Sequence, residues 1–366
     1  MLKLRRGVVL ELVADAEPAE QSLVVALAGE PVQRRAAIAD TALVGRAEVG
    51  DEVIVNVQAL DLGLGSGGFD VVHANLTRGL RGEGAEGAHV MKLNYTSLQH
   101  AVDPVERGQK LGTPLNRPVA VLALHGQLAP VAWAFVQSAP GRSLGYVQTQ
   151  GGALPAARSR AAAELRRRGL LDRHLSAGAA FGGEGEAITT AGALYAGFDE
   201  LGWDAAVCGP GPGIVGSASA LGHGGMFALD SAHAALALGC PTVVVARMSS
   251  ADPRERHRGL SHHTRSVLEL LLAPAIVGLP EREEAELASL DDRPRLARHD
   301  WRPLQTDLEG FAGSGLAAET MGRSLTEDPL FFAAALAGGA ALASLVSAGA
   351  EEGDALLGGD GATSRR

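Results

Sequence analysis

Short apolar runs separated by turns dominate the first hundred residues. The runs at 2–13 and 22–27 are rich in Val and Leu, and residues 44–58 join a turn to a strand with alternating apolar and polar positions. A further short strand is predicted at 69–74. Strands of this length and spacing are typical of a small antiparallel barrel or sandwich. The pattern therefore predicts a β-barrel-like module over residues 1–100.

From residue 117 onward, apolar runs alternate with amphipathic stretches. The apolar runs predict strands at 118–124, 131–137, 145–149, 204–208 and 242–247. Helical spacing predicts helices in several of the gaps, at 155–168, 184–201, 226–238 and 262–272. Buried strands that alternate with helices indicate a mainly parallel sheet with both faces covered. The expected fold class is α/β, with a mainly parallel, Rossmann-like sheet domain over residues 117–350.

The C-terminal region contains an uncharged segment of 22 residues, 329–350, which is long enough to cross a bilayer. It consists mostly of Ala and Gly, with Gly338 and Gly339 near its centre, so it gains little from contact with lipid. We expect a helix that packs closely against its own domain or at a subunit interface. The polar residues 351–366 are expected to form a disordered tail.

Composition narrows the classes of function. A formal charge of −10 opposes nucleic-acid binding, because proteins that bind phosphate backbones normally present a basic surface. A hydrophobic content of 46% excludes wholesale disorder, and two cysteines exclude a disulfide framework. The apolar run near the N-terminus is too short for the core of a signal peptide. We therefore expect a cytoplasmic protein with neither a nucleic-acid nor a membrane partner.

The most informative stretch joins a predicted strand to a run of glycines. Residues 204–225 have the sequence DAAVCGPGPGIVGSASALGHGG, and a helical pattern follows. Glycine lets the backbone approach a ligand closely, and its exposed N–H groups can then hold an anion. The predicted ligand-binding residues of this loop are Gly209, Gly211, Gly213, Gly216 and Ser217.

This loop also contains the pattern G-x-G-x-x-G at residues 211–216. About a dozen residues separate Gly213 from the expected helix start near Met226, whereas a dinucleotide-binding turn enters its helix directly. A ligand-binding loop of another kind is favoured over nicotinamide binding. A loop of special conformation without a ligand stays open as an alternative.

Residues 252–264 contain three of the eleven histidines and three arginines, directly after the strand predicted at 242–247. Ser261 is expected to cap the helix that begins at His262. His262 and His263 then lie about 100° apart on that helix, so only one of them need face a ligand. The residues assigned to chemistry are Asp252, His257, His262 and His263.

Two interpretations of this segment stay open. The histidines either perform acid–base chemistry or hold a metal with Asp252 or Asp230, or they cap helices, pair with nearby acids or line a subunit contact. Arg247 and Arg254 are predicted to bind an anionic group, since a guanidinium offers a planar fork of donors. Gly151 and Gly152 form a second junction of strand, glycine and helix, and are predicted to bind the same ligand.

Several of these segments together resemble a family of bacterial proteins, found in actinobacteria and some firmicutes, that is classed as a domain of unknown function. The resemblance lies in GGALP at 151–155, FGG at 181–183, GPGIVG at 211–216, DPR at 252–254 and HRGLSHHT at 257–264. It extends to about residue 340. It implies domain boundaries but no known activity.

The sequence supports two hypotheses of function. The first is an enzyme that binds a small anionic or phosphorylated ligand through the glycine loops and uses histidine acid–base or metal chemistry. The second is a non-catalytic protein that binds a ligand or self-assembles, and a homo-oligomer is expected in either case. Substrate, reaction, cofactor and the identity of any metal stay open.

Overall fold

The computed structural model describes residues 1–13, 19–64, 67–82, 84, 86–283 and 293–357, with side chains described up to Ser347. The chain divides into two compact units, Met1–Asp103 and Pro104–Arg366. Each unit has its own apolar core.

The first unit contains a closed five-stranded barrel. Its strands are β1 (Leu4–Leu12), β2 (Glu20–Leu27), β3 (Gln33–Asp40), β4 (Glu52–Asn56) and β5 (Asp70–Asn75), followed by the hairpin of β6 (Val90–Lys92) and β7 (His100–Val102). Short helices α1 (Thr41–Val44) and α2 (Gln58–Asp61) lie between strands. The order around the barrel is β1-β2-β3-β5-β4. The β3–β5 pair is parallel, and the other barrel pairs are antiparallel.

Strand β3 was not predicted. It begins Gln-Arg-Arg, its first four residues are exposed or half-buried, and its apolar part is limited to the four residues 36–39, three of them alanine. Closure of the barrel depends on it, because β3 joins β2 to β5.

The second unit is built on an eight-stranded sheet. Its strands are β8 (Val119–Val121), β9 (Leu144–Thr149), β10 (His174–Ala177), β11 (Gly185–Ala187), β12 (Ala205–Pro210), β13 (Thr242–Val244), β16 (Ile276–Pro280) and β17 (Asp300–Leu304). The order is β11-β10-β9-β12-β8-β13-β16-β17, with neighbours parallel. Two short antiparallel pairs lie outside this sheet: β14 (Met248–Ser249) with β15 (Gly259–Leu260), and β18 (Glu319–Thr320) with β19 (Arg323–Ser324).

Helices cover both faces of the sheet, so the predicted α/β architecture is confirmed. One face carries α3 (Leu128–Ser138), α4 (Arg160–Arg167), α9 (Leu308–Gly313) and α10 (Pro329–Leu357). The other carries α5 (Thr190–Asp199), α6 (Phe227–Ala237), α7 (His262–Leu270) and α8 (Pro294–Ala297).

Two predicted elements were wrong. Residues 131–137, predicted as a strand, lie in α3. This helix is buried on nearly every side, so its apolar residues form a continuous run instead of a one-sided helical pattern. The helix predicted from residue 184 begins only at Thr190, because β11 comes first and pairs with β10 at the edge of the sheet.

Helix α10 is a core helix of the second unit. By length and composition its segment Pro329–Ser347 could cross a membrane, but 72% of its most apolar window is buried inside the protein. A Cβ added to Gly339 would collide with the carbonyl oxygen of Val131 in α3, and one on Gly338 would lie 2.9 Å from Val245. The helix extends into the segment predicted as a tail, and residues 358–366 lie outside the described residues.

Candidate functional site

The loops that follow β12 and β13 meet at one edge of the sheet. These strands lie on either side of β8, so their carboxyl ends bring both loops over the end of β8. The loop after β12 carries His223, and the segment after β13 carries His257, His262 and His263. Together these four side chains form what we call the histidine cluster.

The imidazole rings of this cluster contact one another closely. The rings of His223 and His263 stack, with centroids 3.6 Å apart and planes inclined by 11°. The ring of His262 lies edge-on to both, with centroids 4.4 Å from His263 and 5.3 Å from His223. His257 completes the cluster at 4.8 Å from His262. Thus both His262 and His263 face the cluster, although their spacing on the helix required only one of them to do so.

The start of α7 holds two of these rings in place. The Ser261 hydroxyl accepts a hydrogen bond from the backbone N–H of His263, which confirms the predicted helix cap. The same Oγ lies 2.8 Å from Nδ1 of His257. One serine therefore fixes both the helix start and the orientation of His257.

Several polar atoms of the cluster have no hydrogen-bond partner among the described residues. These are Nδ1 of His223, Nε2 of His262 and Nε of the nearby Arg247, all of them buried. The other nitrogen of His223 lies 3.1 Å from the carbonyl oxygen of Ala220. Burial of a polar atom without a partner is costly, so such atoms mark a place where something else can bind.

His263 differs from its neighbours because its Nδ1 accepts a hydrogen bond from Arg247, at 2.8 Å. A guanidinium only donates, so this nitrogen carries no proton and the proton of the neutral ring lies on Nε2. Arg247 is itself 2% exposed. Its charge therefore acts on the cluster with little screening by water.

The histidines of the cluster are held in the neutral form. Burial, followed by the charge of Arg247, lowers the pKa of His257 to about 3. Burial and the neighbouring His223 lower the pKa of His262 to about 4. The pKa values of His223 and His263 are lowered as well, again chiefly by burial. A neutral imidazole has a free lone pair, which is the form that binds metal ions.

Three of the histidines are close enough to share one metal ion. One ring nitrogen from each of His223, His262 and His263 lies within 4.8 Å of the other two. A tetrahedral zinc ion with bonds of about 2.1 Å holds its ligand atoms about 3.4 Å apart. The rings would therefore have to close by roughly an ångström, and the stacked pair would have to splay.

Asp252 lies beside the cluster but faces arginines. Its carboxylate accepts a bidentate pair of hydrogen bonds from Arg254, at 2.9 and 2.8 Å. Arg247 and Arg323 donate to the same carboxylate at 3.4 and 3.3 Å. Burial alone would raise the pKa of Asp252, but the hydrogen bonds and charge of Arg254 outweigh it and hold the pKa well below its usual value. The carboxylate of Asp252 thus forms ion pairs with three arginines and does not contact the histidine rings as a hydrogen-bond partner.

A second buried carboxylate completes this charged network. Asp328 accepts hydrogen bonds from Nε of Arg323 at 3.1 Å and from the Ser249 hydroxyl at 2.6 Å. The two carboxylates face the three guanidinium groups of Arg247, Arg254 and Arg323, which leaves an excess of one positive charge. The side chain of Arg254 is 47% exposed, so this charge reaches solvent.

Four of the predicted glycines are used for close packing. A Cβ on Gly152 or on Gly211 would collide with a backbone carbonyl oxygen of the opposite loop. A Cβ on Gly151 would lie 2.6 Å from the carbonyl oxygen of Gly224, and one on Gly209 would lie 2.9 Å from Leu122. The absence of side chains therefore lets the loop after β9 pack against the loop that carries His223.

The remaining loop residues have different surroundings. Gly213 has a φ of +72°, is exposed, and has no neighbouring atom of the described residues within 4 Å of its Cβ position. Gly216 pairs with His223 in an antiparallel bridge. The Ser217 hydroxyl donates to the carbonyl oxygen of Gly222 and so closes the loop on itself. Gly216 and Ser217 thus hold His223 in position.

Sequence reasoning missed His223, Arg323 and Asp328 as members of this site. His223 lies in the glycine segment that was singled out, and the order β12-β8-β13 would have placed it beside His262. Arg323 and Asp328 lie about seventy residues further along the chain. No local pattern marks them.

Fold and site together define a two-unit α/β protein with a buried histidine cluster and an arginine–aspartate network at the carboxyl edge of its parallel sheet. The chain belongs to the family described as Protein of unknown function (DUF3866), whose model matches residues 36–339. No curated protein and no solved structure gave a significant match.

Proposed function

We propose that this protein is a metal-dependent enzyme that acts on a small anionic or phosphorylated substrate. Its metal would be a divalent transition-metal ion such as Zn²⁺, bound by His223, His262 and His263. The observation that carries the proposal is a pair of buried imidazole nitrogens, Nδ1 of His223 and Nε2 of His262, which have no hydrogen-bond partner in the part of the chain that the structure describes. An ion between the rings would satisfy both.

The donor set suits such an ion. Imidazole nitrogen is a preferred ligand of Zn²⁺ and of its neighbours in the transition series, and three protein ligands leave a coordination position for water or substrate. Because the rings are neutral near pH 7, the ion need displace few protons. His263 is the ligand that must change most, since its Nδ1 lone pair is engaged by Arg247.

The arginine network supports the choice of an anionic substrate. The net positive charge beside the histidine cluster favours a carboxylate or phosphate group, and the exposed Arg254 offers it a planar donor. When bound, the ion would lower the pKa of a coordinated water and polarise the substrate. His257, whose Nδ1 lies 2.8 Å from the Ser261 hydroxyl, is the ring of the cluster outside the proposed ligand set and would supply acid–base chemistry.

Helix α10 gives no support to the self-assembly alternative. Its Ala and Gly content was the reason to expect a subunit contact. Gly338 and Gly339 instead pack against Val245 and Val131 of the same chain.

The first test is metal binding by chelator-treated protein. Wild-type protein should bind one equivalent of Zn²⁺, and with Co²⁺ it should show the intense visible absorption of a tetrahedral site. His262→Ala should weaken Zn²⁺ binding by about 100-fold or more, because it removes a ligand outright. His89→Ala, which changes an exposed histidine in the first unit, is the matched control and should bind as the wild type does.

A second measurement tests the anionic substrate class separately. Inorganic phosphate, titrated calorimetrically into zinc-loaded protein, should bind more weakly to Arg254→Gln than to the wild type. Equal zinc affinity of folded His262→Ala and wild-type protein would refute the metal centre. Equal phosphate affinity of Arg254→Gln and wild type, or none in either, would refute only the substrate class.

A further inference from the structure

A second polar cluster lies at the same edge of the sheet and has a different composition. Its members follow three neighbouring strands: His125 comes after β8, Ser159 comes after β9, and Pro210 ends β12. Because β9, β12 and β8 are adjacent in the sheet, residues distant in sequence meet at their carboxyl ends. None of these residues belongs to the histidine cluster.

The hydrogen bonds of His125 have a defined direction. Its Nδ1 lies 3.1 Å from the carbonyl oxygen of Pro210. A carbonyl oxygen only accepts, so Nδ1 carries the proton and Nε2 of the neutral ring holds a lone pair. The hydroxyl of Ser159 lies 3.1 Å from that Nε2 and therefore donates to it. This is the direction in which a general base withdraws a proton from a serine nucleophile.

We propose that Ser159 is a nucleophile with His125 as its general base, and that the pair hydrolyses small carboxylic esters. Ser159 Oγ forms a bond to the acyl carbon while its proton passes to Nε2 of His125. The ester C–O bond then breaks, and the leaving alcohol takes that proton. Water hydrolyses the acyl-serine in the second half of the reaction and releases the carboxylic acid. This activity needs no metal and does not rest on the function proposed above.

The backbone around Ser159 favours the reaction. Ser159 is the N-cap of α4, and its Oγ accepts a hydrogen bond from the backbone N–H of Ala162 at 3.2 Å. That N–H, together with the positive end of the helix, stabilises the negative charge that develops on Oγ of Ser159 as its proton is withdrawn. The Pro210 carbonyl takes the orienting role that a carboxylate has in the familiar triad.

The surroundings determine the size of the substrate. Ser159 is 2% exposed, whereas His125 is half-buried. Residues 151–155, which precede Ser159 in the chain, are half-buried as well. We therefore choose acetyl, a small acyl group, for the test. Burial also lowers the pKa of His125 to about 4, so its lone pair remains available at neutral pH.

The competing explanation is an inert cap, in which the serine serves only the helix. Ser159→Asn separates the two roles, because asparagine caps helices as well as serine does but cannot be acylated. The probe is p-nitrophenyl acetate, added to chelator-treated protein. The wild type should release a burst of p-nitrophenol and carry an acetyl group on Ser159, located by peptide mass spectrometry.

The variants decide the outcome. Ser159→Asn should lose the burst and the adduct while remaining folded, and His125→Gln should slow acetylation by about 100-fold or more. Ser219→Ala, at an exposed serine, is the control and should react as the wild type does. No acetylation of Ser159 in folded wild type would overturn the proposal, as would an unchanged rate in His125→Gln. Zinc binding is measured independently, so either proposal can fail alone.

Discussion

The two polar clusters at the carboxyl edge of the sheet use histidine in opposite ways. Around His125, both ring nitrogens have partners: a backbone carbonyl on one side and a serine hydroxyl on the other. In the histidine cluster, His223 and His262 each keep a buried nitrogen that has no partner among the residues described. Burial lowers the pKa of His125 and of His262 to about 4, so desolvation alone does not distinguish the sites.

The distinction lies in hydrogen-bond completeness. The His125 arrangement is satisfied within the protein, so its chemistry would depend on a reactive substrate that enters. The histidine cluster keeps two ring nitrogens without a partner among the described residues, so its chemistry would depend on an ion that is bound first. Neutral histidine is common to both, and its partners decide what it can do.

The largest expected effect comes from the arginine–aspartate network beside the histidine cluster. Asp252→Asn leaves three guanidinium groups without that carboxylate, and Arg247 is fully buried. We expect the free energy of unfolding to fall by about 3–5 kcal/mol, measured by urea denaturation. The matched control is Asp300→Asn, which breaks an exposed pair with Arg302 and should cost about 0–1 kcal/mol. Equal losses in the two variants would contradict the buried network.

The next largest effect is the change in the free energy of unfolding with pH, to which the buried histidines of both clusters contribute. The unfolded chain protonates its histidines near pH 6.5, whereas the folded protein protonates His125 only near pH 4. Between these values the unfolded state binds more protons, so the free energy of unfolding should decrease as the pH falls from 6.5 to 4. The decrease is roughly 1.4 kcal/mol for each unit of pKa difference.

Replacing one histidine measures how much that residue contributes to the pH dependence of the unfolding free energy. His125→Gln should show a shallower decrease over the same range, measured by urea denaturation at several pH values. The slope that remains belongs to the other buried histidines, among them His174, whose pKa burial lowers to about 3. A slope unchanged by His125→Gln would mean that His125 titrates alike in both states.

A smaller effect is expected where the loops serving the two clusters touch. Gly152→Ala places a Cβ against the carbonyl oxygens of Gly211 and Pro212, in the loop that links Pro210 to His223. We expect a loss of about 1–3 kcal/mol in unfolding free energy, together with weaker Zn²⁺ binding. Gly313→Ala is the control, because beyond its own helix no atom of the described residues lies within 4 Å of its Cβ position. It should be neutral or slightly stabilising, since alanine favours helix.

Most of the fold followed from hydrophobic periodicity. The barrel strands β1, β2, β4 and β5 and the buried strands 145–149 and 204–208 were predicted and are present, whereas β3, β10 and β16 were not predicted. The errors fall where burial erases periodicity or polarity hides it. Helix α3 is apolar all round, and β17 carries exposed or half-buried residues at an edge of the sheet, so neither matches a simple pattern.

Only those residues of the site that lie close together in the sequence could be predicted. Residues 252–264 concentrate histidine and arginine in one stretch, which made them visible. His223 joins them because of strand order, and Arg323 and Asp328 join them from the region of the hairpin β18–β19. This proximity results from the order of the strands in the sheet, which composition and residue spacing do not predict.

The position of that hairpin in the chain has a consequence for biosynthesis. Asp252, Arg254 and the histidines leave the ribosome well before Arg323 and Asp328 do. During that interval Asp252 lacks one of its three arginines, and the hydroxyl of Ser249 lacks its carboxylate partner. The arginine–aspartate network is therefore completed among the last steps of synthesis, after all four residues of the histidine cluster have been made.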